Sequence, residues 1–117
     1  MPYVDGFIVA VPKDNIEAYK DLARTAGAVW KEYGALSYVE CIGDDVPYGE
    51  ITSFPRAVKA TDDELVIFSW ITYPSREARD AINAKVMADP RLKTDNWTMP
   101  FDGKRMIYGG FKSFLEL

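Results

Sequence analysis

Two carboxylates and one arginine are the side chains of this sequence best suited to chemistry: Asp5, Glu40 and Arg105. Each lies in or beside a stretch of β-branched and aromatic residues, which is typical of strands. A carboxylate in an aromatic-lined cavity can act as a general base, and a nearby arginine can orient an anionic substrate or steady developing negative charge. The same residues can instead form a salt-bridge network across an interface, so a catalytic and a structural interpretation both stay open.

The residues that most catalytic schemes require are missing from the chain. It has no histidine and one cysteine, Cys41, which removes the Ser–His and Cys–His schemes and the usual ligands of zinc and haem. Cys41 is expected to be a buried, inert thiol on the helix-covered face of the sheet. Asp44 and Asp45 are adjacent in a glycine-flanked turn and are expected to be solvated. No cofactor and no metal is predicted.

Two strand–helix–strand units follow one another along the chain. Apolar residues at spacings of three and four predict two helices, the first with Asp14 as N-cap and Gly34 at its end, the second capped by Ser75. The predicted strands cover residues 3–11, 36–42, 65–73 and 104–111. The order β-α-β-β-α-β is that of the ferredoxin-like α+β fold, an antiparallel four-stranded sheet with both helices on one face.

The third predicted strand is apolar on both sides. Ile67 and Ile71 point one way and Phe68 and Trp70 the other. An uncovered apolar face on a soluble protein usually marks an interface, and a second copy related by two-fold symmetry covers it most simply. We therefore expect a homodimer packed sheet to sheet.

The alternation of side chains along the other strands predicts what shares that open face. Small or aliphatic residues suit the helix-covered face: Val4, Gly6, Ile8, Val39 and Cys41. The open face then holds the three candidate chemical residues together with large aromatics: Tyr3, Asp5, Phe7, Tyr38, Glu40, Phe68, Trp70 and Arg105. This mixture predicts a cavity in which Tyr38, Phe68, Trp70 and Phe7 form walls around a small aromatic or anionic ligand.

Three further segments carry expectations. The connection over residues 43–64 is long enough to be a functional loop or lid. Arg76, Arg79, Asp80 and Asn83 are expected on an exposed helix face with an Arg76–Asp80 pair. In the irregular segment 91–103, Trp97, Met99 and Phe101 are expected to pack inward.

Length and composition bound the class of protein. The 117 residues, 48% apolar and 27% charged, predict one folded domain over 1–117. The net charge of −4 makes nucleic acid an unlikely partner. There is no leader pattern, no apolar stretch of about 20 residues and no cysteine pair, so a cytoplasmic protein without a membrane span is expected.

Five segments resemble the YbaA-like bacterial family of unknown function: YVDGF, ECIGDDVP, TSFPRAV, FSWITYPSREARD and PFDGKRMIYGGF. The resemblance covers nearly the whole chain. It implies the dimeric α/β-barrel superfamily, in which two ferredoxin-like protomers pack their sheets into one barrel. Relatives by fold include cofactor-free monooxygenases, haem-degrading enzymes and lactone isomerases, so the resemblance implies a fold without implying a reaction.

Three functional hypotheses follow. The first is a homodimer that binds a small molecule and performs a cofactor-independent proton transfer or monooxygenation, with Glu40 or Asp5 as base. The alternative is a non-catalytic dimeric structural or interaction module. An RNA-associated protein is third, disfavoured by the acidic charge balance.

Overall fold

The computed structural model describes residues 2–93 and 99–117. Its strands and helices are β1 Tyr3–Pro12, α1 Ile16–Glu32, β2 Ser37–Ile42, α2 Phe54–Ala57, β3 Glu64–Tyr73, α3 Arg76–Ala88 and β4 Ile107–Lys112, with single 3-10 turns at Lys13–Asn15, Pro90–Leu92 and Gly103–Arg105. The ferredoxin-like order is confirmed, and α2 is an added turn of helix in the long connection. Trp97 lies outside the described residues.

The four strands form one antiparallel sheet in the order β2-β3-β1-β4. β1 and β3 lie at the centre and pair along ten residues, from Tyr3 opposite Tyr73 to Pro12 opposite Glu64. β2 and β4 form the edges. The pair Gly109–Gly110 continues the register with β1 without a bulge.

Two of the three predicted helix-end residues, Ser75 and Gly34, have the predicted role, and Asp14 does not. The Ser75 hydroxyl accepts a hydrogen bond from the Ala78 amide at 3.1 Å, and Gly34 follows α1 with a φ of 114°, as a C-terminal glycine should. Asp14 does not cap α1, because a 3-10 turn precedes the helix and Asn15 takes the cap position. No helix among the described residues has the length and apolar character needed to cross a membrane.

The main core lies between the sheet and the two long helices. One buried cluster joins β1 and β3 to both helices: Tyr3, Ile71, Tyr73, Val29, Ile82 and Val86. A second surrounds Tyr19 of α1 and includes Val9, Val11 and Ile67. On the opposite face, Val58 of the long connection buries Ala10 and Val66, so that face is covered at one end only.

The predicted side-chain orientation is correct for β3 and wrong for β1 and β2. Tyr3, Asp5 and Phe7 lie opposite Tyr73, Ile71 and Ser69 and face the helix-covered side. Tyr38 and Glu40 share that side. Val4, Gly6, Ile8, Val39 and Cys41 lie on the open side instead, and Cys41 is exposed. The polar residues can lie inside because tyrosine hydroxyls and Arg79 contact them there.

The long connection between β2 and β3 is fastened by Arg56. Its Nε donates to the Tyr48 carbonyl at 2.9 Å and its Nη2 to the Gly49 carbonyl at 3.0 Å, while the guanidinium lies 3.8 Å from the centre of the Tyr48 ring. Phe54 of α2 contacts Phe68 edge to face, at 5.7 Å between ring centres. The connection therefore extends the open face of the sheet and does not line the cavity under the helices.

Candidate functional site

The three predicted chemical residues have separate surroundings. Asp5 is 6% exposed and accepts a hydrogen bond from the Tyr73 hydroxyl at 2.9 Å. The Nε of Arg79 in α3 lies 3.6 Å from the other Asp5 oxygen. Asp5 is thus held by the core between β1, β3 and α3, and it does not share a site with Arg105.

Arg105 forms a closed ion pair. Its Nη1 and Nη2 donate to the two oxygens of Glu64 at 2.8 and 2.7 Å, and its Nε donates to Asp102 at 3.1 Å. The Lys59 carbonyl accepts a further bond at 2.9 Å. The guanidinium holds the pKa of Glu64 at about 2. The prediction that Arg105 joins Asp5 and Glu40 is therefore wrong; its contacts fasten the segment before β4 to the start of β3.

Glu40 has a different environment. Its Oε1 accepts a hydrogen bond from the Tyr19 hydroxyl at 2.8 Å, and its Oε2 accepts one from the Tyr38 hydroxyl at 2.9 Å. Within the described ranges, no lysine or arginine lies within ion-pair distance of this carboxylate. The Glu40 carboxylate is therefore half-buried, and its side-chain donors among the described residues are two neutral phenols.

A glycine of α1 makes room for this arrangement. The Tyr38 ring lies directly under Gly27, where an added Cβ would be 2.8 Å from a ring carbon. Real Cβ atoms do not approach a ring so closely, so only glycine allows the ring to fill this space. Gly27 thereby sets the position of the Tyr38 hydroxyl next to Glu40.

The two phenols remain neutral at all ordinary pH values. Burial raises the pKa of Tyr19 and of Tyr38 far above 10, and the negative charge of Glu40 raises both further. Each hydroxyl is therefore a hydrogen-bond donor to the carboxylate. The trio is a charged acceptor held by two uncharged donors.

Glu40 borders two spaces. An inner cavity of about 260 Å³ lies between the sheet and α1, and Met99, Phe101 and Met106 are among its lining residues. An outer groove of about 440 Å³ lies between α1 and β2, and Tyr19, Ala23, Tyr38 and Glu40 line both. The carboxylate is thus reachable from an apolar interior and from the surface.

A buried hydrogen-bond network supports the wall of the inner cavity. Trp30 donates through Nε1 to the Asn83 side-chain oxygen at 3.0 Å, and its ring contacts Tyr38 with 5.9 Å between centres. Asn83 and Arg79 therefore face inward, contrary to the expected exposed helix face, whereas the Arg76–Asp80 pair is exposed at 3.9 Å as predicted.

Close packing of β4 completes this network. Arg79 donates to the Tyr3 hydroxyl at 3.1 Å. A Cβ at Gly110 would overlap both of those groups, so only glycine lets β4 approach Tyr3 and Arg79 this closely.

The predicted aromatic walls are divided between two faces of the sheet. Phe7 and Tyr38 line the inner cavity. Phe68, which is 41% exposed, and Trp70 contact each other on the open face, with 5.7 Å between ring centres. The open face also holds an apolar cleft of about 650 Å³, whose other lining residues include Ile107, Phe111, Phe114 and Leu115.

Sequence reasoning missed Tyr19, Trp30 and Gly27 as site residues. Both aromatic residues belong to the three-and-four spacing that predicts α1, and buried tyrosine and tryptophan usually find a partner for their polar groups. A buried hydroxyl or indole N–H needs a hydrogen-bond acceptor on the element that it faces. This need was the sequence signal that could have linked Tyr19 to Glu40. Within residues 2–93 and 99–117, no three acidic or cysteine side chains are grouped so that they could hold a metal ion.

Comparisons with known proteins identify the family of this chain. Residues 2–103 match the model of the family described as "Protein of unknown function (DUF1428)". The uncharacterized protein YbaA of Escherichia coli K12 and that of Shigella flexneri are each 58% identical over 116 residues, covering 99% of both chains. A dimeric ferredoxin-like protein from an uncultured marine organism has a similar crystal structure, with a TM-score of 0.61 at 12% identity and full coverage of both chains. The chain therefore belongs to the DUF1428 family of proteins of unknown function.

Proposed function

We propose that this protein is a small-molecule-binding homodimer in which each protomer takes one ligand into the inner cavity, against Glu40. The observation that supports this most strongly is the carboxylate itself, held by Tyr19 and Tyr38 with no cation beside it among the described residues. A partly buried charge without a counter-charge is costly. A ligand that donates a hydrogen bond to Glu40 offsets that cost.

The inner cavity has the features of a binding site for a small organic molecule. Such sites are concave and largely apolar, with a few polar groups that fix orientation. Here Phe7, Trp30 and Phe101 supply apolar wall, and Glu40 and Ser69 supply the polar groups. A volume of about 260 Å³ suits a compound of one or two rings.

Proton transfer is the second candidate function, because Glu40 is positioned to accept a proton from a ligand in the cavity. Both carboxylate oxygens, however, already accept a hydrogen bond from a phenol. The geometry therefore supports recognition of a hydrogen-bond donor more strongly than proton abstraction.

Dimerisation through the open face of the sheet is supported by its shape and polarity. Large apolar side chains stay exposed on it, with Phe111 at 64% and Phe114 at 91%. Phe111 lies over Gly6 and Gly109, whose lack of side chains keeps the centre of the face low enough for a second sheet to approach. The structurally similar marine protein is described as dimeric.

A thermal-shift screen of small organic molecules tests the cavity proposal. We expect compounds that raise the melting temperature of the natural protein and lose that effect in Glu40→Gln, which keeps the shape of the side chain and removes its charge. Glu50→Gln, at an exposed position, is the matched control and should respond like the natural protein. Stabilising compounds that act equally on Glu40→Gln would contradict the proposal. If no compound acts, the result would favour the non-catalytic assembly module.

Sedimentation velocity tests the dimer. We expect the natural protein to sediment as a dimer and Phe111→Glu to sediment as a folded monomer. Leu36→Glu introduces the same charge at an exposed position outside the open face and should leave the dimer intact. A monomeric natural protein would refute sheet-to-sheet packing.

A further inference from the structure

The ionised side chains that line the inner cavity, among the described residues, carry negative charge only. Among the described residues that line it, Glu40 is the one ionised side chain, and no lysine or arginine is present. Tyr19 and Tyr38 are neutral, and Ser69 is uncharged. The cavity therefore presents a negative potential to any ligand, and an anionic molecule would be repelled from it.

The basic residues near Glu40 do not change this balance. Three of them border the outer groove, and each already has a partner: Lys20 with Glu17 at 3.3 Å, Arg24 with Asp21 at 2.7 Å, and Lys31 with the Leu36 carbonyl at 2.9 Å. They lie on the exposed side of α1, so solvent screens them. These side chains are therefore not available to bind the anionic ligand that the sequence predicted.

The cavity walls are suited to a positive charge. Five aromatic rings line it: Phe7, Tyr19, Trp30, Tyr38 and Phe101. The faces of aromatic rings carry partial negative charge and attract cations, most strongly when water is excluded. Tyr19 and Phe101 meet edge to face at 5.7 Å, and Trp30 and Tyr38 are tilted at 35° to each other, so the rings present surfaces in several directions.

Glu40 retains acceptor capacity for such a ligand. An ionised carboxylate has about four lone-pair positions, and the two phenols occupy one on each oxygen. An ammonium group can therefore bond to the carboxylate without displacing either tyrosine. The bond would be charge-assisted and stronger than one between neutral groups.

We infer that the ligand of the inner cavity is an organic cation, an amine or alkylammonium group on a small apolar or aromatic body. This inference rests on the proposed function of the cavity. The ammonium group would bond to Glu40, and the apolar body would lie among Trp30, Tyr38 and Phe101. No chemical step is implied.

The methionines provide a direct test. The chain has four, and three of them, Met87, Met99 and Met106, line the inner cavity. In protein labelled with ¹³C at the methionine methyl groups, the signals of these three residues report directly on the inner cavity. The probes are benzylammonium, benzyl alcohol and benzoate, which share a ring and differ in charge.

We expect benzylammonium to shift the three cavity methyl signals and to bind about tenfold or more tightly than benzyl alcohol, with benzoate weakest. In Glu40→Gln, affinity for benzylammonium should fall to about that for benzyl alcohol. The charge series in the natural protein is informative even if that variant fails to fold.

Two outcomes would overturn the inference. Equal binding of the cation and the alcohol, or tighter binding of benzoate, would show a cavity that binds ligands without preferring cations, and the proposed function would stand. If none of the three probes moves a cavity methyl, the cation inference fails, and the thermal-shift screen decides separately whether the cavity binds other molecules.

Discussion

Glu40 and Glu64 are both partly or largely shielded glutamates of the sheet, yet their surroundings are opposite. Arg105 donates to both oxygens of Glu64, whose side chain is 5% exposed, and Thr61 adds a backbone bond at 2.8 Å. Glu40 has two neutral phenols as donors and a cavity on one side. The negative charge of Glu64 is neutralised by Arg105, whereas Glu40 has no counter-charge among the described residues.

This difference separates a structural carboxylate from a candidate functional one. A charge pair that is complete in the protein alone fixes two segments of chain and has little to offer a ligand. A charge held by uncharged donors next to an apolar cavity costs stability, and proteins commonly accept such a cost at binding sites. We therefore expect mutation of Glu64 to lower the stability of the protein and mutation of Glu40 to affect mainly the binding of a ligand.

The largest expected effect is on stability at Glu64. Glu64→Gln removes the bidentate partner of Arg105 and leaves it the more exposed Asp102, so we expect the free energy of unfolding to fall by about 2–3 kcal/mol. Glu40→Gln should change it by less than about 1 kcal/mol, because the amide oxygen still accepts from a phenol. Urea unfolding at one fixed protein concentration measures both. Equal losses would remove the distinction between the two carboxylates.

Protonation of Glu64 should also make the protein less stable in acid. Glu64 takes up a proton near pH 2 in the folded protein and near 4.5 in the unfolded chain. The unfolded chain therefore binds more protons in this window, and stability falls as pH falls through it. We expect a loss of about 2–3 kcal/mol between these values. Unfolding curves should show a shallower acid loss in Glu64→Gln than in the natural protein, and an equal loss in both would contradict the role of Glu64.

Gly27→Ala should disturb the Glu40 region from the helix side. The added Cβ would lie 2.8 Å from the Tyr38 ring, so the ring or α1 must shift, and we expect a loss of about 1–3 kcal/mol. Gly103→Ala is the matched control, since nothing lies within 4 Å of its added Cβ; it should change stability by less than about 0.5 kcal/mol. Thermal unfolding compares the two. Equal effects would contradict the described packing of Tyr38 under α1.

Removal of one phenol should have a small effect on stability. Tyr38→Phe deletes one hydrogen bond to Glu40 and should cost about 1 kcal/mol. Because the pKa values of Tyr19 and Tyr38 are raised in the folded protein, their contribution is complete below pH 10 and is lost as pH rises above it. Absorbance of tyrosinate at alkaline pH should show these two ionising only on unfolding. Ionisation in the folded protein would show that the hydroxyls are exposed.

The fold was predictable from local patterns. Strand residues such as those of LVIFSWITY, the helical spacing of Ile16, Tyr19, Ala23 and Ala26, and the cap at Ser75 each act over a few residues. The two apolar sides of β3 were read correctly for the same reason. The orientation of β1 and β2 could not be predicted in this way, because it depends on hydrogen-bond and ion-pair partners that lie on other elements.

The site was predicted in its components but not in its arrangement. Glu40 and Tyr38 were identified as candidates, yet the small residues of β1 were assigned to the helix side on size alone. The structure places Asp5 and Phe7 there because Tyr73 and Arg79 provide partners for Asp5. Arg105 pairs with Glu64, 41 positions away, and no local pattern indicates such a partner. Long-range pairing of polar groups is therefore what the sequence left undetermined.

Native mass spectrometry of the protein as purified from cells tests the central claim most directly. We expect a dimer that carries extra small-molecule mass, and the same dimer without that mass in Glu40→Gln. A bound molecule that the variant retains in full would contradict the role of Glu40. A monomer would contradict the assembly through the open face of the sheet.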